Sequence, residues 1–233
     1  MRKTNFPLPV KAVMIDLDGT LLDTAQDLAL AVNLTLIELG RPTLHEKRIA
    51  NFIGKGVYHL MRCALTEVDG GQPDEALFER SMAMFMDCYD RTNGEHTAPY
   101  PGVVEGLDAL RAAGFPLACV TNKIGRFTFS LLERQRLTRY FDIVLAGDTL
   151  PKKKPDPLPL THTAEKFGVT PCDLLLIGDS LNDVEAARAA GCPVFCVDYG
   201  YNEGNDVRAF DVDAIVSSLF EASKLITRSN TKS

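Results

Sequence analysis

The sequence predicts an open, doubly wound α/β sheet of parallel strands that carries a small helical insert. Short apolar runs each end in a polar or acidic residue, and stretches with helical spacing separate them. Short runs of nearly continuous hydrophobicity are typical of strands buried on both faces of a parallel sheet. Strands that alternate with helices favour right-handed crossovers, and therefore a doubly wound sheet. One long segment without a strand pattern predicts the insert.

The predicted strands are the apolar runs themselves, and several lead into residues that can carry chemistry. The first run leads into Asp16, the second into Thr121 and the fourth into Gly178 and Asp179. In an open α/β sheet the binding crevice lies at the carboxyl ends of the strands, so we expect these side chains to meet there. Ordinary turn formation would explain one such position, but less easily several that share one edge. The runs lie, in chain order, at 13–15, 117–120, 143–146, 174–177 and 194–197, with a weaker candidate at 214–216.

The predicted helices have apolar residues at helical spacing, and several stop at a glycine, which is a helix-end signal. Along the sheet domain they lie at 103–113, 126–136, 159–167 and 183–190. Along the insert they lie at 25–39, 57–65 and 76–91. We therefore expect an α/β core made of 1–22 and 100–233, with a helical cap at 23–99. A stripe of Met and aromatic residues on the last insert helix predicts a core face, and the polar tail 227–233 predicts a frayed end.

The composition is typical of an ordinary globular protein. The 233 residues are 45% apolar and 24% charged, with a formal net charge of −6. A negative chain without a basic stripe does not favour binding to nucleic acid or to an anionic membrane. The sequence has no apolar run of signal-peptide or membrane-spanning length, and its six cysteines form no Cys-x-x-Cys pair. We expect a cytoplasmic protein with reduced core thiols, a small-molecule substrate, and a monomeric or small homo-oligomeric state.

Two carboxylates follow the first strand at a spacing of two residues, in Asp16-Leu17-Asp18-Gly19-Thr20. If the strand stays extended, both side chains face the same crevice. Such a pair can bind a hard cation, or it can divide nucleophile and acid/base work between its members. Aspartate is a competent nucleophile in phosphoryl transfer. The turn at Gly19 and Thr20 is also expected to offer backbone N–H groups to a phosphate.

This motif, placed after a buried strand, resembles the first signature of the haloacid dehalogenase-like phosphatases. Three further signatures follow in order along the chain. Thr121-Asn122 is similar to the family's phosphate-binding position, Lys154 to its lysine position, and 178–183 to its acidic metal-binding loop. Together the four span residues 12 to about 200, and the insert sits where this family places a mobile cap. Four signatures in this order, on a matching strand pattern, are a specific signal.

The resemblance implies a phosphatase that depends on Mg²⁺ and works through a phospho-aspartate intermediate. In that scheme Asp16 is the nucleophile and a metal ligand, and Asp18 is the general acid/base, whose backbone carbonyl also binds the metal. Asp179 ligates Mg²⁺, and Asp183 either ligates it or orients a bound water. These oxygen ligands suit Mg²⁺, which keeps several of its waters.

The resemblance also implies the groups that bind the substrate. Thr121 donates its hydroxyl to the phosphoryl group, Asn122 supports that loop, and Lys154 neutralises negative charge. Lys154 ends a run of three lysines, and a solvated face is the expectation for the first two. In the insert, Lys55 lies in a glycine turn at 53–56 and would suit a carboxylate on the substrate, although an ordinary turn between helices explains the same pattern.

Further segments resemble the bacterial phosphoglycolate phosphatases of this family, among them 100–103 and 199–201. The implied substrate is 2-phosphoglycolate, which would give glycolate and phosphate. The alternative is a related phosphatase or phosphosugar mutase that acts on another small phosphorylated metabolite. A dehalogenase needs no metal, and the paired carboxylates argue against it. A non-catalytic binding module would not need the complete set of signatures.

Overall fold

The computed structural model describes residues 5–229. Its strands are β1 (Leu8–Val10), β2 (Ala12–Ile15), β3 (Leu22–Asp23), β4 (Ala98–Pro99), β5 (Leu117–Val120), β6 (Ile143–Leu145), β7 (Leu174–Gly178), β8 (Val194–Val197), β9 (Ala214–Val216) and β10 (Ile226–Arg228). Its α-helices are α1 (Ala25–Glu38), α2 (Glu46–Ala50), α3 (Val57–Asp69), α4 (Glu75–Thr92), α5 (Val103–Ala112), α6 (Gly125–Arg134), α7 (Leu158–Phe167), α8 (Leu181–Ala190) and α9 (Leu219–Lys224).

The central sheet has six strands in the order β6-β5-β2-β7-β8-β9, and every neighbouring pair is parallel. Side chains of β2 alternate between its two faces. Val13 and Ile15 pack in one cluster with residues of α5, α6 and α9, and Met14 packs in another with residues of α7 and α8. The doubly wound α/β class is thus confirmed, as are the six strands predicted from apolar runs.

The chain end differs from the expectation of a frayed tail at 227–233. Strand β10 pairs in parallel with β1, with Leu8 opposite Ile226 and Val10 opposite Arg228. The side chains of Thr227 and Arg228 are exposed, which suits their polar character. Their backbone joins a second, two-stranded sheet. The prediction of a frayed end is therefore wrong for 227–228, because backbone pairing does not depend on apolar side chains. Positions 230–233 lie outside the described residues.

Helices α1 to α4 lie between β3 and β4, and these two short strands pair antiparallel. The chain therefore enters and leaves this segment at neighbouring points. The helices have a hydrophobic cluster of their own, which contains Leu36, Ile49, Met61 and Phe85 and also receives Phe127 from α6. We call residues 23–99 the cap and the rest of the chain the core. The separate cluster supports this division, which stays a prediction.

The predicted apolar stripe of α4 is confirmed as a core face. Phe78, Met82, Phe85 and Tyr89 are buried in the cap cluster, and Met86 packs against it partly buried. Elsewhere in the fold, two predicted core thiols are buried in β5 and β8. Within residues 5–229, every helix is too short or too polar to serve as a membrane span.

Asp27, on the first turn of α1, fixes the exit of the cap to its entry. Its side chain is fully buried, and one of its oxygens accepts hydrogen bonds from the Gly94 N–H at 2.9 Å and the Thr97 hydroxyl at 2.6 Å. The same oxygen accepts from the Thr97 N–H at 3.1 Å, and the other accepts from the His96 N–H at 2.9 Å. This single carboxylate therefore accepts four hydrogen bonds from the loop that returns the chain to the core.

We expect Asp27→Ala to lower the free energy of unfolding by about 3 kcal/mol, because four donors lose their buried acceptor. Asp87→Ala is the matched control, since Asp87 lies exposed on α4 and its replacement should change stability by no more than about 0.5 kcal/mol. Urea denaturation of both variants measures the difference. Equal stabilities would show that the loop does not depend on Asp27.

Candidate active site

The candidate site lies at the carboxyl ends of β2, β5 and β7. Strand β2 lies between the other two and runs parallel to both. Asp16 follows β2, Thr121 follows β5 and Asp179 follows β7, and all three side chains are buried. The chain passes from β2 to β5 on one side and later to β7 on the other, which makes this edge a topological switch point.

Lys154 is the buried residue of the lysine run 152–154. It is 3% exposed, whereas Lys152 and Lys153 are exposed. Its Nζ lies 2.9 Å from Asp16 Oδ1 and 2.7 Å from Asp183 Oδ1, and it donates to the Val120 carbonyl at 2.7 Å. The ammonium is therefore fixed between two carboxylates, at the position where the resemblance requires a positive charge.

Asp16, Asp179 and Asp183 form a buried acidic group. One oxygen from each lies within 4.8 Å of the others. Burial raises the pKa of Asp16 to about 7, although the attraction of Lys154 opposes the rise. Burial also raises the pKa of Asp179 well above its usual value, and the charges of Asp183 and Asp16 add to this effect. Ionised carboxylates at this spacing need a positive partner beyond Lys154.

These residues fit a divalent metal ion. Asp16 Oδ1 is buried, and the Lys154 ammonium 2.9 Å away is its only positively charged contact among residues 5–229. With Asp18 and Lys123, described below, four carboxylates face two ammonium groups, which leaves a formal charge of −2 when all are ionised. Clustered carboxylate oxygens of this kind are the ligands that Mg²⁺ prefers.

Gly19 and Thr20 lie against Asp179, and their contact with a phosphate stays a prediction. Within the turn, the Gly19 N–H bonds to the Leu22 carbonyl and the Thr20 N–H to the Leu17 carbonyl. The Thr20 hydroxyl donates to Asp179 Oδ1 at 3.3 Å. Gly19 has φ +83°, and an added Cβ would lie 2.4 Å from Asp179 Oδ2. Both residues therefore shape the Asp179 pocket.

Asp18 is held by two side chains from different segments. The Thr24 hydroxyl donates to its Oδ1 at 2.9 Å, and Lys123 Nζ lies 3.1 and 3.2 Å from its two oxygens. Lys123 is 3% exposed and also donates to the hydroxyl of Tyr89 in the cap. Sequence reasoning did not select Lys123. The signals were its position directly after Thr121-Asn122 at a strand end and its place in the segment 120–123, which resembles the bacterial phosphoglycolate phosphatases.

Asn122 joins the core to the cap. Its Nδ2 donates to the Lys154 carbonyl and to the Gly54 carbonyl, both at 2.9 Å. The cap turn is close here, since a Cβ on Gly56 would lie 3.2 Å from the Asn122 carbonyl oxygen. Thr121 Oγ1 accepts the Lys123 N–H at 3.2 Å, and no residue in 5–229 accepts its hydroxyl hydrogen. That hydrogen can therefore be donated to a substrate.

A small cavity of about 20 Å³ lies between core and cap. Such a space holds about one water molecule. Its walls are Asp16, Asp18, Thr121, Asn122 and Lys123 from the core, and Leu28, Ile53, Gly54, Gly56, Val57 and Leu60 from the cap. Lys55 is not part of this wall, and its carbonyl accepts from Lys153 Nζ at 2.8 Å. The role of the Lys55 side chain stays a prediction.

Known proteins match nearly the whole chain. The family model described as haloacid dehalogenase-like hydrolase matches residues 13–197. A protein of Nitrosospira multiformis named phosphoglycolate phosphatase is 58% identical, over 97% of this chain and 100% of its own. One of Thiobacillus denitrificans with the same name is 54% identical, over 96% and 99%. The crystal structure of a predicted phosphoglycolate phosphatase from Haemophilus somnus has a TM-score of 0.87 and 33% identity, over 91% and 96%.

Proposed function

Because the chain belongs to the haloacid dehalogenase-like hydrolases, we propose that it hydrolyses 2-phosphoglycolate to glycolate and phosphate. The proposed reaction rests on the buried Asp16 carboxylate, which has Lys154 beside it and Asp18 facing the same cavity. The choice of substrate rests on the names of the relatives.

In the first half-reaction, an Asp16 carboxylate oxygen attacks phosphorus and the bond from phosphorus to the glycolate oxygen breaks. Asp18, in its protonated form, gives its proton to that leaving oxygen. Like charges about 4 Å apart repel by roughly 4 kcal/mol at an effective dielectric of 20, so an anionic nucleophile needs cations near the phosphate. The Lys154 ammonium supplies one, and the Thr121 hydroxyl donates to a phosphoryl oxygen.

In the second half-reaction, the Asp18 carboxylate takes a proton from water, and the water oxygen attacks the phosphorus of the phospho-aspartate. The bond between phosphorus and Asp16 breaks, which releases phosphate and restores the carboxylate. The hydrogen bonds from Thr24 and Lys123 keep Asp18 aimed at the cavity during both steps. Asp18 therefore acts as acid and then as base from one position.

Mg²⁺ is the proposed cofactor. Asp16, Asp179 and Asp183 would hold it, together with the Asp18 backbone carbonyl. When bound, the ion supplies positive charge that offsets the repulsion between the nucleophile and the phosphate. The Tyr201 N–H donates to Asp179 Oδ2 at 2.8 Å and so fixes the orientation of that ligand.

We also propose a cytoplasmic location and a monomeric or small homo-oligomeric state. The buried thiols of Cys119 and Cys196 support the location, since reduced core cysteines are usual where disulfides do not persist. The acidic balance of the chain, with a net charge of −6, supports a small-molecule partner over nucleic acid.

A panel of small phosphomonoesters tests the function. With Mg²⁺ present, we expect kcat/KM for 2-phosphoglycolate to exceed that for ethyl phosphate, glycerol phosphate and glucose 1-phosphate by at least about tenfold. The measurement is released phosphate. A higher value for another ester would reject the substrate and keep the reaction. An isomerised sugar phosphate in place of free phosphate would identify a mutase.

A further inference from the structure

We propose that Lys123 binds the carboxylate of the substrate and thereby selects phosphomonoesters whose leaving group carries an acid next to the bridging oxygen. The inference deepens the proposed function and rests on it. It comes from one juxtaposition, in which a buried ammonium touches both oxygens of the acid/base Asp18 and lines the cavity where the leaving group must lie.

Lys123 is the one basic residue in the described part of the chain that lines this cavity. Lys154 lies deeper, between Asp16 and Asp183, where it serves the phosphoryl end. The cap side of the cavity contributes apolar side chains and glycine backbone. A carboxylate enclosed there is costly unless a cation pairs with it.

The positions follow from the proposed chemistry. Asp18 must lie within hydrogen-bond distance of the bridging oxygen to protonate it. In 2-phosphoglycolate a single methylene carbon separates this oxygen from the carboxylate. Lys123 Nζ lies 3.1 and 3.2 Å from the Asp18 oxygens, so it is one hydrogen bond beyond the group that must touch the bridging oxygen. A carboxylate one carbon away can therefore reach the same ammonium.

The surroundings of Lys123 prepare it for this role. Its ammonium is already withdrawn from water, so pairing with a substrate anion requires little further desolvation. The Tyr89 hydroxyl accepts one of its hydrogens. Burial raises the pKa of Tyr89 well above its usual value, which keeps this hydroxyl a neutral partner. The substrate carboxylate can then take the place of one Asp18 oxygen while the ammonium stays fixed from the cap side.

Paired substrates isolate the effect. The readout is the ratio of kcat/KM for 2-phosphoglycolate to kcat/KM for ethyl phosphate, which has a methyl group in place of the carboxylate. We expect Lys123→Met to reduce this ratio about ten- to hundredfold, the usual effect of losing a charged hydrogen bond, and Lys123→Arg to retain most of it. A general disturbance of Asp18 would slow both substrates and leave the ratio unchanged. Lys152→Met, on the exposed part of the lysine run, is the matched control and should keep the wild-type ratio.

Direct binding keeps the inference testable if Lys123→Met is inactive. Isothermal titration with Mg²⁺ present compares 3-phosphonopropionate, which replaces the bridging oxygen by a methylene, with propylphosphonate, which lacks the carboxylate. We expect Lys123→Met to weaken only the first, about ten- to hundredfold, with thermal unfolding as the check on the fold.

Two results would overturn the proposed role of Lys123, and a third would overturn the proposed function on which that role rests. An unchanged preference for the carboxylate in Lys123→Met overturns the inference. So does a loss of preference in Lys55→Ala alone, which would restore the cap lysine as the carboxylate site. If the wild-type enzyme does not favour 2-phosphoglycolate in kinetics, the proposed function fails, and the binding ratio of the two phosphonates still decides the role of Lys123.

Discussion

Asp16→Asn is expected to reduce kcat by at least about ten-thousandfold while the protein stays folded, because the amide cannot form the phospho-aspartate. Phosphate release with 2-phosphoglycolate and Mg²⁺ measures the loss. Asp198→Asn is the control, since Asp198 also follows a strand but is exposed, and its activity should stay within about twofold of wild type. A variant at position 16 with ordinary turnover would mean that another group attacks phosphorus.

The same variant has a stability signature whose sign follows from burial. The metal-free folded protein raises the pKa of Asp16 from 3.8 to about 7, so it holds this proton more tightly than the unfolded chain does. Stability is therefore lost as pH rises from about 4 to about 7, and above that range the charged carboxylate is a net penalty. The amide introduced by Asp16→Asn cannot ionise, so this part of the pH dependence should vanish in denaturant titrations with chelator present. Asp198→Asn should keep it.

Removal of divalent ions is expected to reduce phosphate release to background, and added Mg²⁺ is expected to restore it. The reason is that the nucleophile and the phosphate are both anionic, while Asp179 and Asp183 add further negative charge beside them. The apparent affinity for Mg²⁺ should strengthen as pH rises toward about 7, because the ion competes with a proton on Asp16. Titration calorimetry at several pH values measures this dependence.

The ion should also stabilise the folded state, since it binds the assembled acidic group better than the unfolded chain. An increase in melting temperature with Mg²⁺ is therefore expected in wild type and should be reduced in Asp179→Asn. The exposed Asp198→Asn variant should respond as wild type does. Folded protein that releases phosphate at full rate after exhaustive chelation would rule out a metal-dependent mechanism.

The sequence was informative about the sheet because burial on both faces leaves a local pattern. Strands such as Leu174–Gly178 are apolar along their length, and this alone separates them from amphipathic helices. Strands β1 and β10 could not be predicted this way. They are three residues long, and their pairing joins the two ends of the chain across more than two hundred residues. No window of local sequence contains that information.

The meeting of Asp16, Thr121 and Asp179 at one edge of the sheet could be predicted because the motifs fix which side chains follow each strand. What could not be predicted is which polar groups find partners inside the fold. Lys123 looks like an ordinary surface lysine until Asp18 and Tyr89, which lie far away in the sequence, close around it. Asp27 is similar, since an aspartate on the first turn of a helix is usually exposed, and only the return of the loop at 94–97 buries it.

Asn122 is one of several side chains that bond across the boundary between core and cap, together with Lys123 to Tyr89 and Lys153 to Lys55. If the cap moves outward, the hydrogen bond from the Asn122 amide to the Gly54 carbonyl must break. The bond from the same amide to the Lys154 carbonyl stays within the core. Each such bond contributes about 1 kcal/mol, so an outward movement of the cap would have to break several of them together. The cavity of about 20 Å³ holds about one water molecule, so a phosphorylated substrate would need an outward movement of the cap to enter. Cap opening would then be a step of each catalytic cycle, as in other enzymes whose sites close over the substrate.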